Sequence, residues 1–208
     1  EAIPHIETAL EAYQSNKKKS RYRYVLAQLY QKTGNNSRAS YFYTESIKGN
    51  ANYDMVFNAK LNTLKLSSGN KDTDKEDKLL AKLIRDSKNE DYLDQLYYER
   101  ALIAKKNKDI DQSKSFLSQS IEASTKNTRQ KAKSHLLLAE ILYSEINYTE
   151  SQENYAACLA LITPDHPDYT NISKRASVLT DLVTQLNFIS KNDSLLDIAD
   201  MPQDKLEA

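Results

Sequence analysis

Tryptophan is absent, cysteine occurs once, and glycine and proline number only three and four in 208 residues. A single thiol, Cys158, excludes an internal disulfide, so packing alone must hold the fold; it says nothing about redox compartment. Three isolated glycines, at 34, 49 and 69, cannot build a phosphate-cradling loop. Charge of one sign is lacking too: 29 Lys+Arg balance 29 Asp+Glu. That balance gives no push toward nucleic acid or an anionic membrane, although a local basic patch stays open. No apolar run approaches the roughly 20 residues of a membrane span. The three histidines, at 5, 135 and 166, are scattered. His135 and Glu140 lie five apart, which is not the i, i+4 spacing that places two metal ligands on one helix face. No catalytic constellation is legible, and no cofactor, metal or small-molecule substrate is expected.

What is present is helical periodicity and tyrosine. Hydrophobic content of 39% with 28% charged residues is wet for a globular core and suits a thin, elongated helical array. The 14 tyrosines fit the same picture, since each can bury a ring and still hold its hydroxyl in water. The chain is organised around Arg21–Ala51, RYRYVLAQLYQKTGNNSRASYFYTESIKGNA. Two amphipathic runs flank a turn at Thr33-Gly34-Asn35-Asn36. Leu26, Ala27 and Tyr30 share a face of the first; Ala39, Tyr43, Ser46 and Ile47 share a face of the second. This is the pattern of a tetratricopeptide (TPR) repeat, a helix–turn–helix of about 34 residues.

The rest of the chain reads as copies and caps. Residues 1–16 form a helix with an Ile6, Leu10, Tyr13 stripe, the second half of a repeat truncated at its front; Lys17-Lys18-Lys19 is its cationic end and turn. The first full repeat follows. The second has helices near Tyr53–Leu66 and Asp74–Asp86, separated by a Lys- and Asp-rich insertion. The third has helices near Asp91–Lys106 and Asp111–Ser124, the fourth near Arg129–Ser144 and Thr149–Leu161. Turn centres fall at Gly34, Gly69, Lys108 and Ile146, and each glycine sits where positive φ is affordable. Close-contact positions carry small residues in three repeats: Ala27, Ala39, Ser46; Ala101, Ser113, Ser120; Ala139, Ser151, Cys158. The second repeat offers Asn62, Asp74 and Ala81, with Lys78 where an apolar residue belongs. A shift there would let Leu79, Leu80, Leu83 and Ile84 supply the core. After Thr163-Pro164, Asp168 caps a helix over Tyr169–Lys191 with an Ile172, Ala176, Leu179, Leu182, Val183, Leu186, Ile189 stripe, and a short helix covers Asp193–Met201. The expected fold is all-α: a TPR superhelical solenoid over 1–163, capping helices over 164–202 that close its open end, and a frayed tail over 203–208.

The other candidate groups read as structure. His135 is a groove-wall or core residue. Asp109, Asp111, Asp165 and Asp168 sit where turns and N-caps belong. Cys158 holds a small-residue packing position with no basic partner nearby in sequence. The surface with functional potential is the groove formed by the first helix of each repeat. Its wall consists of Arg21, Tyr24, Gln28 and Lys32, then Val56, Ala59, Thr63 and Leu66, then Gln95, Tyr98, Leu102 and Lys105, then Lys133, Leu136, Glu140 and Tyr143. This aromatic and basic wall with one acid could hold an extended or helical partner segment of some acidic character. Equally, it could be a solvated face, or a groove filled by another part of the same full-length protein. Chaperone-type TPR domains grip a terminal carboxylate with Lys and Asn at fixed groove places. Here those places hold Tyr24, Gln28, Lys60, Gln95 and Glu99, so that subclass is excluded.

Several stretches go beyond a generic repeat: RYRYVLAQLYQKTGNNSRASYFYTESIK, YDMVFNAKLN, IRDSKNEDYLDQLYYERALIAKKN, KAKSHLLLAEILYSEINYTESQENYAACLALI and LTDLVTQLNFISKNDSLLDIADMP. In this order the chain resembles the SprE/PorW family, the TPR lipoproteins of the Bacteroidetes type IX secretion system and gliding motility. The distinctive parts are Phe57-Asn58-Ala59, Arg85-Asp86 with Lys88-Asn89, Asp94-Gln95 with Tyr97-Tyr98, and Asn187 with Asp193-Ser194-Leu195. The resemblance implies an internal fragment, consistent with a start at Glu1, of a periplasmic protein held to the outer membrane by a lipid. It implies a non-enzymatic scaffold whose protein partners are the outer-membrane translocon and periplasmic ring components. The alternatives are a general TPR adaptor recruiting another periplasmic protein or a peptidoglycan enzyme, and an enzyme whose active site lies elsewhere in a longer chain. No partner-contact residues follow from the resemblance.

Overall fold

The computed structural model describes residues 2–12, 15–49, 51–67, 73–199 and 201, and every element among them is helical. The chain divides into two compact units, Glu1–Glu76 and Asp77–Ala208. The fold is all-α and TPR-like: the second, sixth and eighth α-helices each pair with the helix that follows them as a hairpin, and the second helix of each hairpin packs on the next helix in the chain.

Unit 1 holds α1 (Ala2–Ala12), α2 (Asn16–Lys32), α3 (Asn36–Ser46), α4 (Tyr53–Ser67) and the start of α5 (Thr73–Ile84). Its core is Leu26, Ala27, Tyr30, Ala39, Tyr43 and Ala59, with Ile3, Ile6 and Leu10 of α1 packed against it. The N-terminal reading needs correction. Lys17-Lys18-Lys19 do not end the first helix; they form the first turn of α2, after an extended Ser15. Cations at a helix N-terminus oppose the macrodipole. Tertiary packing favours the longer helix: it brings Ser20, fully buried, against the turn at Gly49. A Cβ on Gly49 would lie 2.0 Å from the Ser20 hydroxyl oxygen. That glycine therefore serves close approach rather than the expected positive φ. Tyr13 lies outside the described residues. A clasp fixes α1 to the first hairpin: the Tyr30 hydroxyl donates to Glu7 Oε1 at 2.7 Å, and Arg38 bonds both Glu7, at 3.2 Å, and the Tyr30 hydroxyl.

Unit 2 continues α5 and adds a 3-10 turn over Ser87–Tyr92, α6 (Leu93–Lys106), α7 (Ile110–Ala123), α8 (Thr128–Ser144), α9 (Tyr148–Leu159) and α10 (Tyr169–Ala199). One core cluster centres on Ala101, Ala104, Phe116, Leu117, Leu137 and Ile141. Another centres on Ala132, Ala139, Tyr155, Cys158, Ile172, Ala176 and Leu179. Buried Asn89 fastens the 3-10 turn by donating to the Leu83 carbonyl at 2.9 Å. Between α6, α7 and α8 runs a buried polar chain. Ser120 donates to the Asp94 carbonyl at 2.6 Å, its hydroxyl lies 2.8 Å from that of Ser134, and Ser124 donates to the Asp94 carboxylate at 3.2 Å.

Three hairpin turns are built alike. At Thr33-Gly34-Asn35, Asn107-Lys108-Asp109 and Glu145-Ile146-Asn147 the central residue has positive φ: 80° at Gly34 and 65° at Lys108 and Ile146. In each, the central N–H bonds a carbonyl three residues back and the next N–H one five residues back, the Schellman pattern that satisfies the last helical carbonyls. The third residue then N-caps the next helix: Asn35 accepts from Arg38 N–H, Asp109 from Gln112 N–H and Asn147 from Glu150 N–H. The expected turn at 67–70 lies almost wholly outside the described residues.

The small-residue expectation holds in three repeats and fails in the second. Ala27, Ala39, Ser46, Ala101, Ser113, Ser120, Ala139, Ser151 and Cys158 are all at most 1% exposed. Two of them also bond across the hairpin: Ser113 donates to the Ala101 carbonyl and Ser151 to the Ala139 carbonyl, both at 2.9 Å. Asn62 and Ala81 are only half-buried and Asp74 is exposed. In α4 the buried residues are Phe57, Ala59 and Leu61 instead. Of the four residues proposed to rescue α5, Leu80 is buried and Leu83 and Ile84 are half-buried, but Leu79 is 44% exposed.

At the C-terminus two helices were expected, and one is found. α10 runs without a break from Tyr169 to Ala199, because nothing in Lys191–Asp193 is a helix breaker. Its first carbonyl bond goes from Ile172 N–H to Asp168. Ile172, Ala176 and Leu179 bury against the α8–α9 hairpin. Beyond Leu179 the stripe stays open: Leu182, Leu186 and Ile189 are 36%, 42% and 53% exposed. The helix closes the hairpin with its first half only.

Candidate functional site

Each unit carries its own face made from first helices. In unit 1, Arg21, Gln28 and Lys32 are exposed along α2, with Tyr24 half-buried between them. The Tyr24 ring meets Tyr43 edge-on, centroids 5.4 Å apart, and its hydroxyl accepts from Asn62 Nδ2 at 3.5 Å. Burial raises the Tyr24 phenol above its ordinary range. Burial, with Tyr24 nearby, pushes Tyr43 up to about 12. Both remain neutral phenols at physiological pH; the Tyr24 hydroxyl accepts its hydrogen bond, and the Tyr43 hydroxyl donates to Gln31 at 2.7 Å. Asn62 thus breaks the small-residue pattern by serving as a donor to Tyr24. Two expected wall residues of α4 turn inward: Ala59 is buried with Tyr43 in the unit core and Leu66 packs against the same cluster, because α4 turns that side toward α3. α2 is also the most one-sided helix in charge. It has five Lys and Arg before its last turn, Lys32 in that turn, and no acid.

In unit 2 the first helices lie side by side, α6 touching α8. Gln95 and Tyr98 are half-buried on α6 and Lys105 is exposed; on α8, Lys133, Glu140 and Tyr143 are exposed around half-buried Leu136. Tyr98 is raised by burial first and then by the negative charges of Glu99 and Glu140. Glu140 also acts on Arg175 of α10, whose guanidinium is raised chiefly by its hydrogen bond to the Tyr155 hydroxyl, 3.2 Å away. One carboxylate therefore sits within electrostatic reach of α6 and α10. Two adjacent recesses open beside it, sharing Leu136, Asp168 and Ile172. The first, about 430 Å³, has an apolar floor that includes Ala132, Leu161 and Ile162, with Arg129 and Lys133 at its rim. The second, about 540 Å³, lies between α8 and α10 and is edged by Glu140, Asn171, Lys174 and Arg175.

Sequence reasoning missed the α10 contribution, Asn171, Lys174 and Arg175, because that helix was read only as a cap. The signal was present: a helix following a complete hairpin occupies the place of the next first helix, so its polar flank faces the groove. His135 does not join the groove. Its Nδ1 lies 2.9 Å from Asn154 Oδ1, facing the other helix of its own hairpin. Burial pushes the Cys158 thiol up to about 11, which leaves it protonated and unreactive in its packing position. Among the described residues no three His, Cys, Asp or Glu side chains gather to hold a metal, and no helix is long and apolar enough to cross a membrane.

No protein-family model and no curated protein matches the chain. Among solved structures, BtubC (BKLC) from P. vanneervenii is similar at a TM-score of 0.63, with 15% sequence identity over 97% of this chain and 92% of that one. The likeness is one of fold. The TPR2AB domain of yeast Sti1, in complex with pHSP90, also matches, at 15% identity over 86% of this chain and 78% of that one with a TM-score of 0.39. A superposition that loose carries no argument about partners.

Proposed function

We propose that this chain is a protein-interaction scaffold with no chemistry of its own, and that its setting is the type IX secretion machinery. The observation that carries the first half is the wall in unit 2, where Tyr98, Glu140 and Arg175 come from α6, α8 and α10, and where Glu140 and Arg175 edge a recess that adjoins a second one with an apolar floor and a charged rim. Such a surface suits a protein segment that inserts an apolar side chain and pairs its charges at the edge. Support for the second half is the family resemblance of the segments quoted above. In this reading the chain links the outer-membrane translocon to periplasmic ring components and supports secretion and gliding, with a lipid anchor elsewhere in a longer protein.

The test is capture of translocon and ring components by the full-length protein. Lys105→Glu with Tyr143→Ser changes two exposed wall residues outside both core clusters. The expected result is weakened capture with an unchanged helical melt. Capture of unrelated periplasmic proteins only would leave a general TPR adaptor. Undiminished capture of the secretion components by the variant would remove the wall from the interface.

A further inference from the structure

The distal half of α10 carries an apolar face that stays exposed among the described residues of its unit. Helices in proteins draw most of their stability from packing of an apolar face, and a contiguous exposed apolar stripe marks an interaction surface. Along one face run Arg175, Leu179, Leu182, Leu186, Ile189 and Asp193, at intervals of four, three, four, three and four. These are the intervals of a coiled-coil seam. They also read the same in both directions, and the ends carry opposite charges. A second α10 laid antiparallel, with its midpoint between Leu182 and Leu186, therefore meets its own complement. Leu182 faces the partner's Leu186 and Arg175 faces the partner's Asp193, each contact occurring twice; Leu179 packs into its own unit, and the partner's Ile189 lies along the edge of that packing.

We propose that two copies of this chain associate through an antiparallel pairing of α10 along this seam. Self-complementarity of one patch is what a two-fold interface requires. Room for it exists. The proximal part of the face, with Asn171 and Arg175, borders the recess of about 540 Å³ against Leu136 and Glu140 of α8, and the partner's distal end would enter there. The end charges are available. Arg175 gives one N–H to Tyr155 and keeps further donors of its planar fork, and both Arg175 and Asp193 are exposed. Leu179 is already buried in its own unit, so Leu182, Leu186 and Ile189 carry the new contact. An unrelated helical partner would need only the apolar stripe; the palindromic spacing and the opposed terminal charges favour a second copy.

Sedimentation equilibrium of the 208-residue chain should show a reversible monomer–dimer system. Leu186→Glu places two carboxylates at the centre and should abolish the dimer, with the helical melt of the monomer as the check on folding. Asp193→Arg should raise the dissociation constant about tenfold, roughly the cost of one exposed pair lost twice. Arg175→Asp combined with Asp193→Arg should restore it, since the swapped charges meet again only in the antiparallel register. A monomer at every concentration, a dimer indifferent to Leu186→Glu, or a charge swap that fails to restore association would each overturn the proposal. Arg175 and its recess belong to both surfaces, so the scaffold reading is tested separately, by capture through Lys105 and Tyr143 on α6 and α8.

Discussion

The hairpins α2–α3, α6–α7 and α8–α9 differ from the α4–α5 region in the side chains set at equivalent places, and the contrast shows what this fold requires. In the first three, Ala, Ser or Cys fills each point of close approach, and all nine are buried. At the corresponding places α4 and α5 hold Asn62, Asp74 and Ala81, none of them buried. Small side chains there let helix backbones approach. Where they are missing, the helices make other contacts: Phe57, Ala59 and Leu61 turn inward on α4 and Leu80 on α5.

The largest effect should come from closing one of these contacts. Ala39→Leu forces a bulky side chain into a fully buried site and should cost roughly 1–3 kcal/mol, read as a lower urea midpoint. The same change at the equivalent Asp74, which is exposed, should stay within about 0.5 kcal/mol of wild type. Equal losses at the two sites would erase the contrast. Next come the N-caps: Asn147→Ala removes the acceptor for Glu150 N–H and should cost about 1 kcal/mol, with Asn35→Ala alike. Turn chemistry gives an effect of opposite sign. Ile146 is a β-branched residue held at φ 65° and 71% exposed, so it has strain and little packing to lose. Ile146→Gly should stabilise the chain by up to about 1 kcal/mol, while Gly34→Ala should destabilise it by a similar amount. Thermal melts of the two variants moving in the same direction would contradict the shared turn geometry.

The smallest effect concerns pH. Burial raises the Asp94 carboxyl above its ordinary value, against hydrogen bonds from Gln95, Ser124 and Asn127 that act to lower it. The folded state therefore holds the Asp94 proton more tightly than the unfolded chain does. Asp94 adds stability below the ordinary carboxylate pKa, and that contribution is lost as pH rises through the raised folded value. Urea midpoints of wild type and Asp94→Asn, compared across that window, should move in favour of wild type on acidification. A constant difference would mean that Asp94 is not desolvated.

Much of the hairpin architecture is legible because it is local. The periodicity of Leu26, Ala27 and Tyr30, the turn trio ending in Asn35, Asp109 or Asn147, and the small residues at 39, 113 and 151 all report contacts within one repeat. Errors arose where a distant contact decided the outcome. The lysines at 17–19 look like a helix end until Ser20 is seen packed on Gly49. The tail looks like two helices because charge and polarity change at 190–194, yet charge does not break a helix. Leu182, Leu186 and Ile189 look like core because a stripe reports amphipathicity and not whether anything covers it. The wall was legible on α6 and α8 but not on α10, whose place in the array depends on the preceding hairpin being complete.

The account rests on the helical hairpin as the unit that folds and packs. Native-state amide hydrogen exchange tests this most directly, because cooperative units open with a common free energy. The prediction is that slow amides of α2 and α3 exchange as one set, those of α6 and α7 as another, and those of α8 and α9 as a third with the α10 segment around Ile172 and Ala176. Helices of one hairpin exchanging with unrelated free energies would contradict it.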